Sequence, residues 1–486
     1  MIIAATAGTV RELERRTMIT TGDDALMQRA AAGLAAVLVT ELQRRAGRLY
    51  GTTVTVLVGP GNNGGDALFA GARLAARGVA VRAVACLGRP HAAGLAALLA
   101  AGGRVEDLPE DGRLAGPVTL VVDGVLGIGG RPGLPEPVAR LAAAVQQAGW
   151  PVVAVDLPSG VDADTGGVPG PAFRADRTVT FGVHKPCHLV EPGRSRCGVV
   201  DLVDIGLDPA EDTAQGWLHG LDEDDLARAW PYPGAASDKY ARGVVGLDAG
   251  SDEYPGAGVL STYGAVHAGA GMVRFLGADR PADLVRAQLP NVVFSPGRVQ
   301  AHLLGSGWGE RPDGADVVAS ALDTGLPAVV DADGLRHLPD HLPPTWLLTP
   351  HAGELARLLD RDRGWVEEDP LRAVREAADQ TGATVLLKGA SQLVASPEHG
   401  WVGVAVPGPA WTAQAGSGDV LGGICATLLA AGLPAWQAGL LGASAQAVTA
   451  RDHPGPLPPH ALAQRLPETL GRLEVVARSH GWDVDR

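Results

Sequence analysis

A glycine-rich loop that ends in an acid follows the first strongly apolar run of the chain. Residues 56–68 read VLVGPGNNGGDAL, so an apolar run leads through the loop to Asp66 and a helix-like sequence. The loop is not the phosphate loop G-x-x-x-x-G-K-[ST], because Gly65 and Asp66 stand where Lys and Ser or Thr belong. It also lacks the GxGxxG spacing with an acid about 20 residues further on. Its glycines still let the backbone approach a ligand, and the amides that open the next helix attract negative charge. Helix capping by Asp66 is the other interpretation.

Two further loops carry acids at the ends of apolar runs. VVDGVLGIGGRPG contains Asp123, and VVAVDLPSGVDADTGG contains Asp156 followed by Ser159. Ligands of open α/β sheets bind at the carboxyl ends of the strands, so we expect these loops to converge. Asp123, Ser159 and the amide oxygens of Asn62 and Asn63 are hard oxygen ligands that together could hold a cation. Their spacing matches no known metal-ligand signature.

The second half of the chain has its strongest local signal in AQAGSGDVLGGICATLLAAG, where Gly418 and Asp419 open a helix. Gly-x-Gly-Asp at a helix N-terminus places backbone amides where a transferring phosphoryl group could sit, with a carboxylate beside them to take a proton from a hydroxyl. Asp419 could also be a simple cap. TPHAGE, with His351, and LLKGASQ, with Lys388, end two other strands. Taken alone, His351 is more often structural and Lys388 more often solvated.

The first half of the chain resembles a known family. VGPGNNGGDALFAGARLAARG, VVDGVLGIGGRPG and AVDLPSGVDADTG are similar to the three signature stretches of the NAD(P)H-hydrate epimerase domain, also called the YjeF N-terminal domain. The opening VRELERRTMITTGDDALMQRAAAGLA, which we expect to be one helix, is similar to that family's N-terminal region, and the match covers nearly all of residues 1–210. The resemblance implies an enzyme that interconverts the R and S forms of hydrated NADH and NADPH, in which water has added to C6 of the nicotinamide ring.

This resemblance also implies roles for individual residues. The hydrates, NADHX and NADPHX, would contact Asn62, Asn63, Gly64, Gly65, Asp66, Gly127, Ile128, Gly129, Gly130, Arg131, Pro132, Gly133 and Asp156. A potassium ion would be bound by Asn63, Asp123 and Ser159. Inversion at C6 needs the hydroxyl to leave or the ring to open, and a nearby carboxylate can shuttle the proton or stabilise the cationic ring. Asp156 is our candidate for this catalytic role.

The second half resembles another family. DADGL at Asp331, TPHAGE, LLKGA and AGSGDVLGG are similar to the NAD(P)H-hydrate dehydratase domain, of ribokinase-like fold, over residues 235–475. The resemblance implies that ADP, or ATP in some relatives, is used to remove water from the S hydrate. A plausible route is phosphorylation of the C6 hydroxyl with Asp419 as catalytic base, then loss of phosphate, with Mg2+ accompanying the nucleotide.

The same resemblance carries over to binding residues. Contacts with the hydrate are implied for Ala257, Gly309, His351 and Asp419. Contacts with the nucleotide are implied for Lys388, Gly389, Ala390, Ser391, Gln392 and Gly418.

The chain departs from the family at two glycine-rich stretches. The usual GPGLG reads GSGWG at residues 305–309, and VVGLDAGS lacks the second glycine that commonly precedes the serine. Tight turns need glycine for backbone reasons, so Trp308 and Ala249 predict altered local geometry around Gly309.

Both halves have the element pattern of α/β domains. Apolar, Val-rich runs alternate with helix-like segments, which indicates mostly parallel sheets covered on both sides. We predict a doubly wound, Rossmann-like domain over residues 1–215 and a ribokinase-like αβα domain over residues 225–480. The boundary is expected within the acidic, then Trp- and Pro-rich stretch 208–234.

Composition excludes several other classes. A net charge of -14 offers no basic surface for nucleic acid. Four cysteines without a CxxC pair favour free buried thiols in a reducing compartment, and the first residues do not read as a signal peptide, so we expect a cytoplasmic location. The charge-free run 420–450 is divided by Gly432 and Pro434, which favours two buried helices over a membrane span. We expect small-molecule substrates and a homo-oligomer.

The preferred hypothesis is a bifunctional metabolite-repair enzyme whose first domain supplies the S epimer and whose second consumes it. One alternative makes the second domain a kinase of vitamin precursors, because Gly-Ser-Gly-Asp also occurs in such kinases of the same fold. Another makes the first domain a binding module without catalysis.

Overall fold

A computed structural model describes residues 1–114, 116–208 and 216–482. The chain divides into two compact units, one spanning Ile3–Trp217 and the other running from Leu218 to the C-terminus together with Met1 and Ile2. The predicted end of the first domain, residue 215, falls in residues 209–215, outside the described residues. The predicted α/β class is confirmed.

The strands, in chain order, are β1 (Ile2–Ala5), β2 (Thr53–Val58), β3 (Ala80–Ala85), β4 (Arg104–Asp107), β5 (Leu120–Gly124), β6 (Val152–Val155), β7 (Arg177–Phe181), β8 (Val199–Val203), β9 (Trp217–Gly220), β10 (Val244–Asp248), β11 (Met272–Phe275), β12 (Ala301–Leu304), β13 (Ala328–Val330), β14 (Leu347–Leu348), β15 (Thr384–Leu387), β16 (Leu393–Ala395) and β17 (Val402–Val404).

The helices, in chain order, are α1 (Ala7–Thr21), α2 (Asp23–Ala46), α3 (Asn62–Ala75), α4 (Ala92–Ala100), α5 (Glu136–Gln147), α6 (Arg194–Cys197), α7 (Glu223–Ala229), α8 (Pro255–His267), α9 (Asp279–Gln288), α10 (Gly314–Asp323), α11 (Ala352–Leu358), α12 (Arg363–Glu368), α13 (Pro370–Thr381), α14 (Ser417–Ala430), α15 (Ala435–Asp452) and α16 (Pro459–Ser479).

The first unit is built on a seven-stranded parallel sheet in the order β4-β3-β2-β5-β6-β7-β8. From β2 the chain moves outward through α3 and α4 to β3 and β4, and from β5 it moves the opposite way through α5. Because such crossovers are right-handed, α3 and α4 cover one face and α5 the other. The order reverses between β2 and β5, and this switch point is where an open α/β sheet binds its ligands.

The second unit has a larger sheet, in which nine strands follow the order β9-β17-β16-β15-β14-β13-β12-β10-β11. Its pairs are parallel except β15 with β16 and β16 with β17. The sequence does not predict β9 and β16, because strands of three or four residues carry too little periodicity. The order reverses at β10, which lies between β11 and β12, so a second ligand site is expected at the carboxyl end of β10.

The prediction of one opening helix is wrong, since α1 ends at Thr21 and α2 begins at Asp23. Gly22 lies between them with φ 83°, a conformation that glycine adopts without strain and that a continuing helix excludes. The Thr6 hydroxyl accepts a hydrogen bond from the Thr9 amide and caps α1.

The prediction of two buried helices in the charge-free run is confirmed. α14 ends at Ala430 and α15 begins at Ala435, and most side chains of both are buried. Among the described helices, one segment, Asp24–Ala46 of α2, is long and apolar enough to cross a membrane, and 44% of that window is buried inside the protein. Leu34 and Leu42 of this segment are fully buried, as in a core helix.

Candidate functional sites

The loop after β2 lies against the loop after β5 at the switch point. The Gly59 amide donates to the Gly124 carbonyl at 3.3 Å, and a Cβ atom on Gly59 would stand 2.0 Å from the Val125 carbonyl oxygen. A Cβ atom on Gly64 would stand 2.3 Å from the Gly59 carbonyl oxygen. Two of the predicted loops therefore touch through their backbones. A side chain at Gly59 would push them apart, and one at Gly64 would distort the first loop itself.

Asp123 and Ser159 form a buried pair beneath these loops. The Ser159 hydroxyl donates to Asp123 Oδ1 at 2.6 Å, and the Ser159 amide donates to Oδ2 at 2.8 Å. Both side chains are fully buried, and no cationic side chain pairs with Asp123 among the residues that the structure describes. Burial raises the pKa of Asp123 to about 6, against the lowering effect of its hydrogen bonds.

Asn63 borders the same pair from the start of α3. A Cβ atom on Gly127 would stand 3.0 Å from Asn63 Oδ1, and one on Gly124 would stand 3.3 Å from the Asn63 carbonyl oxygen. The side-chain nitrogen of Asn63, Nδ2, is buried and has no hydrogen-bond partner among the described residues. A buried carboxylate, a hydroxyl and an amide oxygen without a cation of their own form a set of hard oxygen donors that could hold a cation.

Asp156 follows β6 directly and is held by a network of buried groups. Lys185 Nζ lies 2.6 Å from its Oδ1, and the Thr180 hydroxyl donates to the same oxygen at 3.0 Å. Its carbonyl oxygen lies 2.9 Å from His188 Nε2. Burial acts to raise the pKa of Asp156, but the Lys185 ammonium outweighs it and the net shift is downward. Asp156 is therefore a carboxylate at neutral pH.

The pKa of Asp66 is shifted in the opposite direction to that of Asp156. Its Oδ1 atom is buried without a hydrogen-bond partner among the described residues. Burial, followed by the charges of Asp156 and Glu14, raises the pKa of Asp66 well above its usual range. Burial and Asp156 also raise the pKa of Glu14, which comes from α1. Two neighbouring buried carboxyl groups thus have pKa values shifted in opposite directions.

The predicted segment Gly127–Gly133 closes this pocket from a third side. The Arg11 guanidinium of α1 donates to the Ile128 carbonyl at 2.7 Å, and the Gly133 amide donates to the Gly160 carbonyl at 2.8 Å. Gly160 has φ 98°, and a Cβ atom there would stand 2.7 Å from the Pro171 carbonyl oxygen. This segment and the loop after Asp156 are therefore tied together.

The second unit contains a cavity of about 690 Å³ at the carboxyl ends of its strands. Of the predicted substrate contacts, Ala257, Gly309 and Asp419 line it, and His351 is not among the described lining residues. The wall also contains residues that the sequence does not single out: Glu253, Tyr254, Glu310, Asp333 and Arg336. The Gly309 amide donates to Asp333 Oδ2 at 2.8 Å, so Asp333 fixes one side of the opening.

A buried ion pair lies behind this cavity. Lys388 Nζ lies 2.5 Å from Asp331 Oδ1, and the Thr349 hydroxyl donates to the same oxygen at 2.9 Å. Burial opposes both charges, but each partner outweighs it, so the pKa of Asp331 is lowered and that of Lys388 is raised. A Cβ atom on Gly418 would stand 3.1 Å from Lys388 Nζ, which brings two predicted nucleotide-binding residues together.

Asp419 stands in the first turn of α14, next to that pair. Burial, and then the negative charge of Asp331, raises the pKa of Asp419 to about 7, while Lys388 and a hydrogen bond from Ser306 act in the lowering direction. A carboxyl group with a pKa near neutrality can exchange a proton at physiological pH, which suits a general base.

His351 is mainly a helix cap. Its Nδ1 atom accepts hydrogen bonds from the amides of Gly353 and Glu354, while Glu354 Oε2 accepts from the His351 amide. The ring remains exposed, and its Nε2 atom lies 3.4 Å from Glu354 Oε1. Its predicted contact with the hydrate remains a prediction.

The backbone does not require glycine at Trp308 or Ala249, the two positions where altered local geometry is expected. Gly305, Gly307 and Gly309 all have positive φ, whereas neither Trp308 nor Ala249 is among the non-glycine residues with positive φ in the described chain. Trp308 is instead buried, and its indole N–H donates to Asp248 Oδ1 at 3.0 Å. The expectation of an altered turn was wrong because the departures fall between the glycine positions.

Sequence reasoning missed Lys185, Thr180 and Glu14 in the first pocket. Lys185 comes shortly after the carboxyl end of β7, the strand next to β6, so the strand-end argument applied to Asp156 could have found it. Glu14 gives no such signal, because a surface-like acid on α1 is recognisable only from the fold.

Comparisons with known proteins cover both units. A family model described as YjeF-related protein N-terminus matches residues 23–187, and one described as NAD(P)H-hydrate dehydratase matches residues 245–470. The bifunctional NAD(P)H-hydrate repair enzyme Nnr of Mycobacterium tuberculosis (strain ATCC 25618 / H37Rv) is 46% identical over 443 residues, covering 88% of this chain and 89% of that protein. Its counterpart in Mycobacterium leprae (strain TN) is 44% identical over 465 residues, covering 92% and 94%.

Among solved structures, the chain is similar to an ADP/ATP-dependent NAD(P)H-hydrate dehydratase from Bacillus subtilis that was co-crystallized with ATP/Mg2+. The TM-score is 0.49 at 24% sequence identity, over 53% of this chain and 99% of that chain.

Proposed function

Because this chain belongs to the family of bifunctional NAD(P)H-hydrate repair enzymes, we propose that it restores hydrated NADH and NADPH in two steps. The first unit epimerises the R and S hydrates at C6, and the second dehydrates the S hydrate with ADP. The observation that carries this proposal is the presence, in each unit, of a buried carboxyl near a sheet switch point: Asp156, which is kept ionised by Lys185, and Asp419, whose pKa is raised to about 7.

For epimerisation, we assign the base to Asp156. Its carboxylate is ionised, so it can take a proton from the C6 hydroxyl as the ring opens, or stabilise the cationic ring as the hydroxyl leaves. Asp66, whose pKa is raised well above its usual range by burial, is a candidate to supply a proton to the departing group. The backbone of Asn62–Asp66 and of Gly127–Gly133 would hold the dinucleotide.

Potassium is proposed to bind at Asn63, Asp123 and Ser159. The ion would neutralise the buried charge of Asp123 and stiffen the contact between the loops that carry these residues. The support is the buried oxygen donor set, which has no cationic side chain of its own in the described residues.

For dehydration, we assign the base to Asp419, which would take the proton of the C6 hydroxyl as that oxygen attacks the β-phosphoryl group of ADP and AMP leaves. The ring nitrogen would then expel phosphate from C6, and loss of a proton from C5 would restore the double bond of NADH or NADPH. The first amides of α14 would hold the transferring phosphate. Lys388, Gly418 and the turn Gly389–Gln392 are the proposed nucleotide contacts. Mg2+ bound with the nucleotide would neutralise phosphate charge, and the carboxylates of Glu253 and Glu310 on the cavity wall are suitable ligands.

A cytoplasmic location and a homo-oligomeric state are also proposed. The described structure has all four cysteines free and buried, which agrees with a reducing compartment. Light scattering of the purified chain would measure the oligomeric state directly.

The function is tested with the purified full chain and a mixture of NADHX epimers. We expect ADP with Mg2+ to convert the whole mixture to NADH, followed by absorbance of the reduced nicotinamide, and epimerisation to continue when ADP is left out. No recovery of NADH with any nucleotide would refute the dehydratase assignment. ATP-dependent phosphorylation of a hydroxymethylpyrimidine would instead support the kinase alternative, which the named relatives do not favour.

A further inference from the structure

Three hydrogen-bond acceptors surround the ammonium of Lys185, one for each of its N–H groups. It is 1% exposed, and its Nζ lies 2.6 Å from Asp156 Oδ1, 2.9 Å from the Thr180 hydroxyl and 3.2 Å from the Phe181 carbonyl oxygen. An ammonium has three donors and no acceptor. All three donors are used within the protein, so Lys185 has none left for a ligand and acts through Asp156.

The backbone of Asp156 is fixed by the same loop. Asp156 has φ 67°, a left-handed conformation that costs a non-glycine residue on the order of 1–3 kcal/mol unless its surroundings enforce it. Its amide donates to the Val179 carbonyl at 2.7 Å, and its carbonyl oxygen contacts His188 Nε2. His188 Nδ1 in turn accepts from the Lys185 amide at 3.0 Å. Lys185 thus holds the side chain of Asp156, and His188 holds its backbone.

The titratable groups around Asp156 come from α1, α3 and the loop after β7. α1 contributes Glu14 and Arg11, α3 contributes Asp66, and the loop after β7 contributes Lys185 and His188 with their neighbours His184 and Cys187. Burial, and then Lys185, lowers the pKa of His184 to about 4 and that of His188 to about 3, so both imidazoles are neutral. Lys185 is therefore the cation that balances Asp156.

The composition of the chain supports a requirement for an ammonium at this position. Of 40 basic residues only three are lysine, at positions 185, 239 and 388, and the other 37 are arginine. Lys185 and Lys388 each pair with a buried aspartate, while Lys239 is exposed. A guanidinium is planar and carries five donors, so it cannot replace a compact ammonium among three close acceptors.

We propose that Lys185 is a positioning residue of epimerisation, which holds Asp156 as a carboxylate in a fixed orientation. The proposal rests on the epimerase function proposed above.

The test measures kcat/KM of R-to-S interconversion against pH, without ADP, for the full chain and for Lys185→Met. The assays contain K+ in excess, so that Asp123, with a pKa of about 6 in the absence of a cation, stays ionised. Asp156 of the unaltered chain is ionised throughout the neutral and mildly acidic range, so the rate should then fall only in strong acid. In Lys185→Met burial remains and the ammonium is gone, so the pKa of Asp156 rises. The acid limb should then move to higher pH by about one to three units, with about a tenfold loss per unit at acidic pH.

Thr180→Val is the matched control, because it removes a neutral partner of both Lys185 and Asp156 and leaves the ammonium in place. We expect a lower kcat and a shift of the acid limb that is clearly smaller than in Lys185→Met, because the Thr180 hydroxyl lowers the pKa of Asp156 less than the ammonium does. Dehydratase activity with ADP and the S hydrate reports on the integrity of the rest of each variant.

The outcomes separate the two proposals. If the unaltered chain does not interconvert the epimers, the epimerase function fails. If it does, and Lys185→Met leaves the acid limb in place, the role of Lys185 is refuted. If Lys185→Met does not fold, the pH profile of the unaltered chain still tests the proposal. An acid limb above pH 6 would mean that Lys185 does not keep Asp156 ionised.

Discussion

At the scale of single residues, the proposed catalytic carboxyl groups of the two units differ in whether a cation pairs with them. Asp156 has the cation Lys185 within 2.6 Å and stays ionised, whereas the cation next to Asp419 is already paired with Asp331. Burial, and then the charge of Asp331, therefore raise the pKa of Asp419 to about 7. A carboxyl with a pKa near neutrality can accept a proton during the reaction and return it afterwards, whereas a carboxylate kept ionised by an ammonium is suited to stabilising a cationic ring.

The first prediction concerns Asp419. Asp419→Asn should lower kcat for dehydration by about 10²- to 10⁴-fold, because the side chain keeps its shape and loses the basic oxygen. In the unaltered chain kcat/KM should rise with pH through about 7, since the base must be deprotonated to act. Stopped assays with the S hydrate, ADP and Mg2+ measure both. Unaltered epimerisation in the variant serves as its control, and a near-normal dehydration rate would remove Asp419 from its role.

The second prediction concerns the proposed cation. Replacing K+ by tetramethylammonium at equal ionic strength should slow epimerisation and lower the melting temperature, because Asp123 then stays buried without a counter-ion. In Asp123→Asn the dependence on K+ should vanish, since the buried charge is gone. Thermal unfolding monitored in both salts provides the measurement. A variant that keeps the full response to K+ would place the ion elsewhere.

How far the sequence predicts the site depends on where each residue lies. Asp123, Asp156 and Asp419 follow apolar strands or open a helix, so pattern and resemblance both locate them. Glu14 and Lys185 reach the first pocket only because α1 folds over it and because a loop returns after β7. The roles of the matched residues, including His351 and Lys388, remain predictions, since a shared motif does not show which side chain atom meets a ligand.

At the scale of elements, the position of Asp419 depends on how closely α14 approaches α8. A Cβ atom on Gly423 would stand 2.1 Å from the Ser261 carbonyl oxygen, and one on Gly264 would stand 2.1 Å from the Val420 carbonyl oxygen. The two backbones are in direct contact through these glycines. The charge-free sequence predicts burial of α14, but the contact between particular backbones follows only from the folded structure.

The third prediction tests this contact. Gly423→Ala should force α14 away from α8 and destabilise the second unit by about 1–3 kcal/mol, with loss of dehydratase activity. Gly471→Ala is the matched control, because it lies inside α16 with no atom within 4 Å of the added Cβ. That substitution should stabilise the helix by about 0.5–1 kcal/mol. Urea unfolding followed by circular dichroism compares them, and equal effects would argue against close packing at Gly423.

At the scale of the whole molecule, each unit has its own sheet, its own switch point and its own carboxyl group. The α/β class and the alternation of strands and helices along each half could be predicted from the sequence patterns. The short strands β9 and β16, and the break between α1 and α2, could not, because pattern is weak over a few residues and a single glycine does not always end a helix.

The fourth prediction follows from this separation. A mixture of Asp156→Ala and Asp419→Ala chains should convert both NADHX epimers to NADH, because each chain retains one working site and the S hydrate can diffuse between them. Either chain alone should stop early, with the R hydrate left by the first variant and no NADH formed by the second. Chromatography of the epimers with absorbance of NADH distinguishes these cases. A mixture no better than its components would show that the intermediate is not released.

The scarcity of lysine has a practical consequence for work with this protein. Lys185 and Lys388 are locked in ion pairs with aspartates, which leaves Lys239 as the one lysine side chain open to solvent. Amine-reactive dyes, cross-linkers and immobilisation chemistry should therefore modify the folded chain at Lys239 with little competition from other lysines. Lys185 is 1% exposed and should react only as the first unit opens, so labelling followed by mass spectrometry would report the unfolding of that unit, whereas the partly exposed Lys388 should react more slowly than Lys239.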